Sequence, residues 1–162
     1  MATVLFINRT DLVRNSIMDG NISTDKFIQF IKLSQEIDVQ QILGTNMYDG
    51  LTTAIPNIDL PVNARWKLIL DDFVVPMLIW YAQANYYPFA AYQVRQGGVY
   101  KHTSESAEID FLVEKARTNA EWYSRRFIDF MGFNQTTYPE YTNNVNDDIY
   151  PSGSATFNGW VL

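Results

Sequence analysis

Apolar residues fall in steps of three and four along most of the first 131 positions, the spacing of helices with one face turned to a core. Thr3 to Ile7 is a short β-prone run. Asn8 then reads as a helix N-cap with Asp11 as its reciprocal partner, and the helix is predicted to run to about Met18. Asp19-Gly20-Asn21 stops it by turn chemistry. A second helix starts at Ser23 or Thr24. Phe27, Phe30, Ile31 and Ile37 keep its period, Val39, Ile42 and Leu43 carry it on, and Gly44 ends it as a C-cap. A short helix follows from about Asn46 to Ile55. Pro61 suits the first turn of the next, whose stripe is Trp66, Ile69, Leu70, Phe73 and Met77. Pro76 has no N–H to donate, which predicts a kink or restart. Leu78 to Val94 is apolar nearly all round, as in a helix buried on several sides.

Gln96-Gly97-Gly98 breaks the pattern, and Val99 to Thr103 reads as a short extended piece. The final helix is predicted from about Glu105 to Met131, roughly 40 Å at about 1.5 Å per residue. Its stripe is Ile109, Leu112, Val113, Ala116, Ala120, Tyr123, Phe127 and Met131, and Glu121 precedes Arg125 in the favourable order for an i,i+4 pair. From Gly132 to Leu162 the periodicity stops, Asn, Thr, Ser, Gly and Pro recur, and no Lys or Arg occurs. Such a composition predicts no fixed structure in isolation. The fold expected is all-α: a bundle of about four to five helices over residues 1–131, with an extended C-terminal arm over 132–162.

Aromatic content sharpens this picture. Ten Tyr, ten Phe and four Trp exceed the needs of a small core, and surplus rigid rings are favoured at interfaces. Tyr138, Tyr141, Tyr150, Phe157 and Trp160 recur along the tail, where they are expected to anchor on adjacent chains. Trp80, Tyr86 and Tyr87 on the apolar helix are further candidates for a subunit or partner interface. The competing reading makes residues 78–94 the wall of a pocket in a small-molecule or peptide-binding module, which predicts a monomer with an enclosed cavity.

Charge and motifs narrow the classes. A net charge of −6, with no basic run longer than Arg125-Arg126, opposes general nucleic-acid binding. Absent cysteines remove disulfides, thiol catalysis and Cys-ligated metal, and fit assembly in a cytoplasm. The N-terminal apolar run is too short for a signal peptide. Phe73 to Val94 is long enough to span a bilayer, but its two prolines, Gln83, Asn85 and four tyrosines favour a buried helix. Asp19 to Asp25 begins like a calcium loop, yet Thr24 stands where Gly is needed and Phe30 where Glu is needed. Asp71-Asp72 and Asp147-Asp148 are adjacent pairs, and neighbours on a helix diverge by about 100°. His102 is the only histidine and lies just ahead of a helix, where a cap or surface role suits it better than catalysis. No Gly-x-Ser-x-Gly or phosphate-binding loop is present. The three Asn-x-Ser/Thr triplets read as caps and loops. No enzyme, metal or cofactor is expected.

Four stretches carry a resemblance: Ile42-Leu43-Gly44-Thr45-Asn46-Met47-Tyr48-Asp49-Gly50-Leu51; Val74-Val75-Pro76-Met77-Leu78-Ile79-Trp80-Tyr81-Ala82; Gly97-Gly98-Val99-Tyr100-Lys101, continuing through Ser104-Glu105-Ser106; and Ala116-Arg117-Thr118-Asn119-Ala120-Glu121-Trp122-Tyr123, extended by Arg126-Phe127-Ile128. In this order, over about residues 37 to 131, they resemble small helical phage head-to-tail connector proteins. The nearest likeness is to the connector-like family of phages and prophages of Bacteroidetes bacteria, including the crAss-like phages. The resemblance implies a structural virion protein, repeated in a ring, twelve-fold in known connectors, beneath the portal protein. The ring would contact adjacent neck or tail proteins and leave a channel through which DNA passes without specific binding. It also implies a place in the virion neck and no membrane.

Overall fold

The computed structural model describes residues 4–15, 24–90, 92–95, 98–101 and 106–142. Helix α1 (Arg9–Asn15) opens with the reciprocal cap read from the sequence: the Asp11 N–H donates to Asn8 Oδ1 at 2.9 Å, and the Asn8 N–H donates to Asp11 Oδ2 at 3.0 Å. Two otherwise unpaired backbone donors are thereby satisfied.

Helix α2 (Thr24–Ser34) runs through a π turn (Gln35–Val39) into α3 (Gln40–Leu43). Gly44 ends the run with a φ of 75°, a conformation that a side chain would strain. Helix α4 (Thr45–Ala54) leads to a 3₁₀ turn (Ile55–Asn57), and Pro61 begins a second one (Pro61–Asn63). Helix α5 (Ala64–Ile69), a second π turn (Leu70–Val74) and α6 (Val75–Ala90) then follow without a break. Pro76 therefore neither ends nor restarts the helix. The π turn just upstream shifts the ladder so that the Val75 N–H reaches Leu70 O, which accommodates a residue with no donor.

Helix α6 is the central element. It packs most extensively on α7 (Ser106–Phe133), next on α2, and also touches α1. Met77, Leu78, Ile79, Ala82, Gln83 and Ala84 are all buried, which is why its sequence is apolar on nearly every side. From α7 the core receives Ala116, Ala120, Phe127 and Met131, while Leu112 from the expected stripe is exposed.

Two expectations are corrected. The helix predicted to reach Val94 ends at Ala90, and β1 (Tyr92–Arg95) pairs antiparallel with β2 (Gly98–Lys101). In that register Tyr92 pairs with Lys101 and Arg95 with Gly98. Pro88 removes a donor from the last turns of α6 and favours that early stop. This hairpin is the one sheet among the described residues, and the fold remains a helical bundle. The second correction concerns the arm: α7 extends to Phe133, and a turn then carries the chain into α8 (Pro139–Thr142), which packs against α4.

Candidate functional site

Buried polar side chains fasten this bundle from within. Gln35 is fully buried inside the first π turn. Its Oε1 accepts from the Phe6 N–H at 2.9 Å, and its Nε2 donates to Val4 O at 2.8 Å and to Tyr48 Oη at 2.9 Å. The β-prone N-terminal run thus pairs with a side-chain amide instead of a strand. Asn85 of α6 donates to Ser34 Oγ at 2.8 Å and to Asp38 Oδ2 at 3.0 Å. Burial raises the Asp38 carboxyl above its ordinary value, against the lowering effects of the Asn85 hydrogen bond and the Arg117 charge. Ser124 donates to Ala120 O at 2.9 Å and lies beside Met77 Sδ and the Tyr81 hydroxyl. Every one of these groups has hydrogen-bond partners from its own chain.

The aromatic residues expected at an interface divide three ways. Tyr86 meets Phe27 and Phe30 edge-on, at 5.1 and 5.4 Å between ring centroids, and so seals α6 against α2. Tyr87 donates to Oε1 of the buried Gln83 at 3.0 Å, and Trp80 is half-buried. The pocket expected along residues 78–94 therefore finds Tyr86 and Tyr87 engaged by the chain's own side chains.

Tyr138 corrects the expectation that it anchors on an adjacent chain, and the half-buried Tyr141 is engaged in part by its own chain. Tyr138 is 3% exposed and its hydroxyl donates to Arg65 O at 3.1 Å. Arg65 returns the clasp by donating to Thr137 O at 2.8 Å and to both Glu140 carboxylate oxygens, with its guanidinium 4.6 Å over the Trp66 ring. Burial raises the Glu140 carboxyl, but the Arg65 hydrogen bonds, a backbone hydrogen bond and the Arg65 charge together outweigh it and leave the group below its ordinary value. Tyr141 packs edge-on against Phe127 at 5.6 Å. The tail to Thr142 thus belongs to the bundle, because burying these rings in their own core removes them from water without a second chain. Tyr150, Phe157 and Trp160 lie outside the described residues, as do His102, the Asp147-Asp148 pair and all but the last two residues of the calcium-like loop.

The surface carries residues that the sequence pattern did not single out. Ile28, Leu33 and Ile37 are exposed along α2 and its π turn. Ile37 was expected on the buried stripe, but the wider π turn carries it outward to 50% exposure. Leu60 and Val62 on the turns before α5 and Leu68 on α5 are also exposed, with Val62 at 79%. Phe111, Trp122 and Phe133 are exposed on α7. Their signal was available: each lies eleven positions after the one before. Among the described residues no three metal-ligating side chains gather, and no helix is long and apolar enough to cross a membrane.

Fold and surface define a helical-bundle domain that presents large exposed apolar side chains on several of its described elements. Residues 39–150 match the DUF6712 family, a family of unknown function, and the chain belongs to it. That span includes the clasp that closes on Arg65. No curated protein and no solved structure matches the chain.

Proposed function

We propose that this chain is a structural subunit of a virion head-to-tail connector, closing with its copies into a ring between portal and tail. The observation that carries this reading is exposed apolar side chains on different elements, Leu33 and Ile37 at the end of α2 and its π turn and Leu60, Val62 and Leu68 on the turns before α5 and on α5 itself. A ring needs two different patches that meet head to tail, since a heterologous contact that closes generates cyclic symmetry. Resemblance to phage connectors over residues 37 to 131 supports the same role. Tyr150, Phe157 and Trp160 would serve as anchors on a neighbouring subunit, the portal protein or an adjacent neck protein. A net charge of −6 suits a channel that DNA traverses without being gripped, because like charge repels phosphate.

Native mass spectrometry and negative-stain microscopy of the full chain, alone and with portal particles, test the proposal. A closed ring is the expected result. Ile37→Asp and Val62→Asp should each block closure, and mixing the two variants should recover one intact contact as a discrete pair. A chain that never exceeds a dimer, even on portal particles, overturns the ring.

A further inference from the structure

Helix α7 carries a second apolar stripe on the side opposite its core face. Eleven residues bring an α-helix round to within about 20° of its starting direction, so Phe111, Trp122 and Phe133 lie on one line. Ala120, Phe127 and Met131 lie about half a turn away and are fully buried. The three rings are 65%, 58% and 90% exposed. They are spaced about 16 Å apart along the helix. Between them on the same line stand Lys115, Thr118, Arg126 and Asp129, all exposed. Neither Lys115 nor Asp129 has an ion-pair partner among the described residues.

The three rings are equally spaced, and Lys115 and Asp129, of opposite charge, stand seven positions to either side of Trp122. An equally spaced ladder of rings is unchanged when a second copy is turned end for end about Trp122. That operation sets Phe111 of one chain over Phe133 of the other and Trp122 over Trp122. The same register sets Lys115 over Asp129, and does so twice. A parallel pairing would instead set Lys115 against Lys115 and Asp129 against Asp129, which repels. An unrelated partner imposes no such symmetry on the sequence.

We infer that the outer face of α7 is a two-fold contact, occupied by the α7 of a second copy in antiparallel register about Trp122. Six partly exposed rings would leave water in the pair, removing on the order of 600 Å² if each loses about 100 Å². That is below the area of a standard specific interface, so the contact is a weak, transient one that forms at high concentration. An eleven-residue repeat calls for a slight right-handed wrap of the two helices. A two-fold contact closes on itself and makes no ring. It is therefore separate from the head-to-tail contacts proposed above and does not depend on them.

Sedimentation equilibrium of the full chain reads the dimer, with circular dichroism confirming that each variant is folded. Wild type is expected to dimerise. Lys115→Asp and Asp129→Lys should each weaken the dimer at least tenfold, and the double variant Lys115→Asp/Asp129→Lys should recover most of the loss. Trp122→Ala, which removes the ring on the axis, should leave a monomer. A wild-type monomer at every concentration overturns the inference, as does a dimer indifferent to the single reversals or a double variant no better than either single one. Ring closure, read separately by microscopy, should survive Lys115→Asp, so a failure here is distinguishable from a failure of the ring.

Discussion

Gln35 shows how much one buried amide decides. It supplies an acceptor to the Phe6 N–H and donors to Val4 O and Tyr48 Oη, so three groups from two other segments depend on it. Gln35→Leu would take this partner from the buried Phe6 N–H and from the part-buried Val4 O and Tyr48 Oη, and is expected to cost about 2 to 3 kcal/mol in urea unfolding. Glycine gives a contrasting pair. A Cβ at Gly50 would sit 2.6 Å from Trp66 Cη2, whereas one at Gly132 would meet nothing within 4 Å. Gly132→Ala should therefore stabilise the chain by about 0.5 to 1 kcal/mol through helix propensity alone. Gly50→Ala gains the same propensity but must displace a buried ring, and should destabilise by about 1 kcal/mol or more in thermal melts. The Asn8–Asp11 cap was legible because its chemistry is local. The role of Gln35 was not, since its partners lie 29 and 31 residues away in the chain.

At the scale of elements, the clasp between α5 and α8 is the feature that periodicity could not show. Residues 134–142 carry no helical stripe, yet Tyr138 is core and Arg65 holds Thr137 and Glu140. Arg65→Ala removes hydrogen bonds to a carboxylate and a carbonyl together with the stacking on Trp66. It should cost about 2 kcal/mol and raise hydrogen exchange in residues 137–142 well before the rest of the bundle. Glu140 adds a pH signature. Its carboxyl lies below its ordinary value in the fold, so the unfolded chain binds the proton more readily. The clasp's contribution is therefore complete above the ordinary glutamate value and is lost as pH falls through the lowered one. Glu140→Gln should abolish that acid dependence, read as exchange of the same amides across the acid range. The two π turns were equally hidden: one excuses Pro76 and the other turns Ile37 outward, and neither leaves a repeat in the sequence.

For the whole molecule, the clasp moves the boundary between bundle and arm. Truncation after Met131 should unfold or severely weaken the chain, because it deletes Tyr138 from the core, a loss of about 3 kcal/mol or more. Truncation after Thr142 should keep the melting temperature near that of the full chain while reducing assembly, if Tyr150, Phe157 and Trp160 anchor on a neighbour. Equal loss of stability in both truncations would place residues 143–162 in the fold and count against an arm.

The sequence by itself determined the helical class, the helix caps at Asn8 and Gly44, the buried character of α6 and the long final helix. Each of these rests on interactions within a few residues, or on an apolar period that any core would satisfy. Only the tertiary structure decided that Tyr86 meets Phe27 and Phe30 of α2, that Tyr138 is core and not arm, and that Phe111, Trp122 and Phe133 are exposed on α7. An aromatic ring gains by leaving water whichever surface covers it, so composition cannot distinguish its own core from a neighbour's. Which surface arrives first is a property of the folded chain.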